Sequence, residues 1–112
     1  MNFKHFIVMI SCPDAATAER LGEAAVTERL AACVQIQPCR SLYRWNGAIQ
    51  RESECLLLLK IAAARWQQLE TRLKALHPYD VPEIIALPIV AASAEYLDWI
   101  DTETGDGHAS SG

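Results

Sequence analysis

The stretch Ser41-Leu42-Tyr43-Arg44-Trp45-Asn46-Gly47-Ala48-Ile49-Gln50-Arg51-Glu52-Ser53-Glu54-Cys55-Leu56-Leu57-Leu58-Leu59-Lys60-Ile61 decides the fold. Asn46-Gly47 is the strongest short signal for a tight hairpin, because both residues tolerate the positive φ that such turns demand. Before the turn the chain alternates, setting Ser41, Tyr43 and Trp45 on one face and Leu42 and Arg44 on the other. After it, Gln50, Glu52 and Glu54 mark one wet face, and the run Leu56 to Leu59 is then apolar on both faces. One end of the hairpin therefore belongs to a core, and the other projects beyond it. Tyr43, Trp45 and Ile49 near the tip expose aromatic and aliphatic surface on a lone small domain, which marks an interface. The open edges of such a hairpin favour self-association by strand pairing.

Outward from the hairpin, Ala32 to Ile36 reads as a strand, and at Pro38 it either ends or bends and continues. Phe6 to Ile10 is apolar on both sides, as a buried central strand requires. Asp14 can cap a helix from Ala15 to about Leu30, whose stripe holds Ala18, Leu21, Gly22, Ala25, Val26 and Arg29. On the other side, Ala62 to Leu76 places Trp66, Leu69, Leu73 and Leu76 at helical spacing, with no capping residue at its start. Ser93 can cap a last short helix through Tyr96, Leu97, Trp99 and Ile100. The order predicts an α+β ferredoxin-like sandwich, βαββαβ plus a C-terminal helix, with helices on one face of an antiparallel sheet. Residues 1–101 form that domain, and 102–112 read as a flexible polar tail.

Between the second helix and the last strand lies His77-Pro78-Tyr79-Asp80-Val81-Pro82-Glu83-Ile84-Ile85-Ala86-Leu87-Pro88. Each Xaa-Pro pair resists the helical region, so the helix stops near His77 and the chain runs on extended into a strand from Ile84 to Val90. Pro82 and Pro88 suit only an edge strand or one with bulges. This rigid polar corner is the candidate site.

A net charge of −4 with no basic run argues against nucleic-acid binding. The longest apolar run is far too short to span a bilayer, and the start carries no secretory pattern, so a cytoplasmic protein is expected. Cys12, Cys33, Cys39 and Cys55 form no C-x-x-C pair, which disfavours zinc and suggests buried reduced thiols. No nucleophile–base pairing or glycine-rich phosphate loop supports an enzyme or an organic cofactor.

The chain resembles the CutA family, the divalent-cation tolerance proteins. The resemblance rests on Pro13-Asp14, Glu28-Arg29-Leu30-Ala31-Ala32-Cys33-Val34, Ser41 to Gly47, Leu58-Leu59-Lys60, His77 to Glu83, and Tyr96-Leu97-Asp98-Trp99-Ile100. Order and spacing match from about residue 5 to 101. It implies a tight homotrimer whose hairpins pair between subunits, with Tyr43, Trp45 and Ile49 at the contacts. It also implies a role in cation tolerance, with copper or a similar divalent cation as ligand. Family positions linked to copper carry Ile10 and Leu76 here, which leaves His77, with Cys12 and Glu83 as partners. Where the family has Thr after the lysine of the third strand, this chain has Ile61, so a helix cap is missing. The alternative is a PII-like small-molecule sensor with an inter-subunit pocket lined by Lys60, Tyr79, Glu83 and Trp45.

Overall fold

The computed structural model describes residues 2–105. Strand β1 (His5–Cys12) is followed by α1 (Ala15–Thr27), β2 (Cys33–Trp45), β3 (Ala48–Ala62), a 3-10 turn at Ala63–Arg65, α2 (Trp66–Leu76), β4 (Ile84–Pro88) and α3 (Ala94–Glu103). The four strands form one antiparallel sheet in the order β2-β3-β1-β4. This is the expected ferredoxin-like arrangement: β1 and β2 are joined through α1 but separated in the sheet by β3.

Asn46 and Gly47 adopt φ of 52° and 77°, the two positive values that a primed hairpin turn needs. From that turn β2 and β3 pair without a break, from Trp45↔Ala48 to Cys33↔Lys60. Pro38 therefore does not end the strand, and the register shows why. Ala63 N–H donates to Lys4 O at 2.8 Å, one step beyond the His5↔Ala62 pair. Even-numbered β1 residues thus make the hydrogen-bonded pairs with β3, so Cys55 turns its amide towards Cys12. Pro38 sits opposite Cys55, and its nitrogen points at the outer edge of β2, where no ladder bond is lost.

Alternation then fixes the core. Val8, Ile10 and Cys12 of β1 and Leu57, Leu59 and Ile61 of β3 are fully buried against Ala18, Leu21 and Ala25 of α1 and Leu69 and Leu73 of α2. Burying each such aliphatic side chain contributes about 1.5–3 kcal/mol. Gly22 lets α1 approach the sheet closely: a Cβ there would stand 3.1 Å from Val34 Cγ1. Val26, placed on the apolar stripe by sequence, is exposed instead. Asp14 Oδ1 accepts from Thr17 N–H at 2.7 Å and so caps α1, which ends at Thr27 rather than near Leu30. The start of α2 has no side-chain cap, in keeping with Ile61.

The opposite sheet face carries Ile7 and Met9 of β1, Leu56 and Leu58 of β3, and the exposed Ile85 and Leu87 of the edge strand β4. Helix α3 is tied to one end of the sheet. His5 Nε2 lies 2.8 Å from Asp101 Oδ1, Arg29 Nη2 donates to Thr102 O at 2.8 Å, and Arg65 Nε donates to Thr104 O at 2.6 Å. Two guanidinium groups thus satisfy carbonyls at a helix C-terminus, where positive charge is favourable. The segment expected to be a tail from residue 102 accordingly begins as helix, and Thr104 is buried. Residues 106–112 of that segment, His108 included, lie outside the described residues.

Candidate functional site

The proline-rich corner is built by stopping α2. His77 has extended backbone, φ −75° and ψ 137°, as its position before Pro78 dictates. Its ring turns inward and is buried. Tyr79 N–H donates to His77 Nδ1 at 3.1 Å, so the ring hydrogen resides on Nε2, which donates to Ser11 O at 2.8 Å. The His77 and Tyr79 rings lie 4.9 Å apart. Tyr79 Oη then donates to Glu54 Oε2 at 2.8 Å. A continuous chain of bonds therefore links the end of β1, the corner and the middle of β3.

Glu54 is the residue that sequence reasoning missed. It was expected on the wet face of the hairpin, yet only 7% of it is exposed, because the Tyr79 ring reaches across to it. The one available signal was its place at the boundary where the alternating half of β3 meets the apolar half. Burial first, then the bond to the Glu54 carboxylate, push the Tyr79 hydroxyl well above the ordinary tyrosine range. Tyr79 consequently stays protonated and donating.

The expected metal residues do not make a cradle. Both His77 ring nitrogens are engaged in hydrogen bonds, so ligation would forfeit one of them. Burial, reinforced by Cys55 and the carboxylates of Asp14 and Glu54, pushes the Cys12 thiol up to about 11, so a metal ion would have to displace its proton to bind there. Glu83 is exposed. Among the described residues no group of three or more His, Cys, Asp or Glu is arranged to hold a metal ion.

The expected pocket residues are also apart within one protomer. Lys60 is opposite Ile7, and its ammonium donates to Gln35 Oε1. Glu83 falls one step beyond the Ile10↔Ile84 pair, beside Ser11. Four residues of strand, roughly 13 Å, separate the two rows. Trp45 lies at the hairpin tip, twelve strand positions from Lys60 along β3, roughly 40 Å away. Only Tyr79 of the four belongs to the corner chain. Tyr43, Trp45 and Ile49 are exposed at the tip. No helix among the described residues is long and apolar enough to cross a membrane.

These features define an α+β protomer of ferredoxin-like topology with a projecting two-stranded arm and a hydrogen-bonded prolyl corner. The family model of the CutA1 divalent ion tolerance protein matches residues 6–103. The divalent-cation tolerance protein CutA of Thermus thermophilus is 48% identical over 100 residues, spanning 88% of this chain and 97% of its own. The solved structure of CutA1 from the psychrotrophic bacterium Shewanella sp. SIB1 superposes with a TM-score of 0.91 at 34% identity, covering 95% of this chain and 100% of that one. The CutA structure from Xylella fastidiosa gives 0.88 at 43% identity, over 90% and 98% of the two chains. The chain belongs to the CutA family of divalent-cation tolerance proteins.

Proposed function

We propose that the chain serves divalent-cation tolerance as a homotrimer joined through its hairpin arm, without catalysing a reaction. The arm carries this reading. The molecule measures 53 × 27 × 21 Å, and the β2–β3 pair runs from a helix-covered inner end to an exposed outer end at the Asn46-Gly47 turn. Leu42, Trp45 and Ile49 on that arm are each more than half exposed. A two-stranded ribbon is marginal alone, so further strands from neighbouring copies are its natural support. Ile85 and Leu87 on the uncovered sheet face offer a second apolar contact.

Copper or another divalent cation is the ligand that family membership suggests. The corner speaks against Cys12, His77 and Glu83 of a single chain as its holders, since both His77 ring nitrogens are already hydrogen-bonded, Cys12 is buried with its thiol held protonated, and Glu83 is exposed. In this reading the corner is structural, and direct cation contact falls to surfaces completed by neighbouring copies. Sedimentation at micromolar concentration should give three times the protomer mass; a lone folded subunit overturns the trimer. Calorimetric titration with Cu(II), Zn(II) and Cd(II) should give the same affinities for the wild type and for a folded His77→Ala trimer. Loss of binding in that variant would return the corner to the role of ligand.

A further inference from the structure

The four cysteines allow six pairings, and the sheet register separates them. Cys33 and Cys39 lie six positions apart on β2, roughly 20 Å. Both occupy odd-numbered β2 positions, opposite Lys60 and Glu54, and so face away from α1 and α2. Cys12 and Cys55 face the other way. Cys12 belongs to the buried core and Cys55 packs against that core, half-buried. The two are directly opposite each other in the β1–β3 ladder. By the register they form a hydrogen-bonded pair, whose Cα atoms stand about 5.5 Å apart. That Cα separation lies within the range disulfides span, and closing the bridge draws the two Cβ atoms together by about 1 Å from the spacing of a hydrogen-bonded pair.

We propose that Cys12 and Cys55 form an oxidation site, in which a peroxide converts the facing thiols into an intramolecular disulfide that staples β1 to β3. The half-buried Cys55 is the side that a small oxidant reaches. Its thiolate sulfur attacks one oxygen of hydrogen peroxide, the O–O bond breaks, and hydroxide leaves a sulfenic acid on Cys55. The Cys12 sulfur then attacks the Cys55 sulfur, the S–O bond breaks, and water leaves with the proton from Cys12. Two thiols and one peroxide yield one disulfide and two waters. Burial holds Cys12 protonated, so its proton leaves with the departing hydroxide, and a thiol reductant reverses the whole. The bridge closes a long loop that includes α1 and the outgoing half of the arm, so the oxidised form should unfold at a higher temperature.

The experiment treats the reduced full chain with a small excess of hydrogen peroxide, blocks remaining thiols, and maps linked peptides by mass spectrometry. The expected product is a Cys12–Cys55 cross-link within one chain, with two hydrogens lost. Tm should rise by about 5–10 °C and return on adding dithiothreitol. The double variant Cys33→Ser, Cys39→Ser should keep the cross-link and the Tm rise, and Cys55→Ser should lose both. A cross-link through Cys33 or Cys39, a bond between chains, or sulfinic acid on Cys55 without cross-linking would each overturn the proposal.

Discussion

The two ends of the β2–β3 ladder share one unbroken register and live in opposite surroundings. At one end Leu57, Leu59 and Ile61 have no exposed surface. At the other, Trp45 and Ile49 are 56% and 59% exposed on a backbone paired in the same way. Pairing and burial are therefore separate achievements. The ladder is set by the Asn46-Gly47 turn and the extended preference of the chain, whereas burial depends on which residues α1 and α2 happen to cover. The inner end holds the fold together, and the outer end is exposed apolar surface.

The sharpest way to break this contrast is to cut into the inner end. Leu57→Ala should cost about 2–5 kcal/mol of stability, read as a fall in the urea midpoint; a cost below 1 kcal/mol would show that the inner end is not the core. The matching change at the outer end, Trp45→Ser with Ile49→Ser, should leave the secondary structure intact. Its effect should appear in sedimentation, as a shift from the proposed trimer towards single chains. If the protomer itself unfolds, the two ends are not independent.

Tyr79→Phe probes the seam between them. Removing the hydroxyl leaves the buried Glu54 carboxylate without its donor and should cost about 1–2 kcal/mol. The pH dependence has a definite sign. Tyr79 has a higher pKa folded than unfolded, so its contribution is complete below the ordinary value of 10.0 and declines as the pH rises past it. The wild type should therefore lose stability faster than Tyr79→Phe above that pH, and parallel curves would contradict the bond. Smallest of all, Ser93→Ala removes the cap on α3. Its hydroxyl accepts from Tyr96 N–H at a long 3.4 Å, so about 0.5 kcal/mol is expected in thermal unfolding.

The hairpin, the strand order and the caps at Asp14 and Ser93 were legible because each rests on a local rule: positive φ at Asn-Gly, period-two alternation, a short polar side chain before a helix. The corner was legible as a place but not as a mechanism. Its bonds run from His77 to Ser11 and from Tyr79 to Glu54, partners that only the register brings together. Glu54 looked solvated because alternation says which face a residue takes, not what lies over that face. The end of the domain was misjudged for a related reason. Thr102 and Thr104 are polar enough to suggest a tail, and nothing local reveals that Arg29 and Arg65 hold their carbonyls.

Pro38 has one more effect on the molecule. Even-numbered residues of β2 turn their amides outward, so the outer edge is a row of donors with a single tooth missing. A strand arriving from outside and crossing that point would bury a carbonyl with nothing to receive it, at a cost of about 1–3 kcal/mol. A chain that paired with this edge would find its uninterrupted reach between Arg40 and Arg44, nearer the tip. One imino acid sets how far along the arm a visitor can zip.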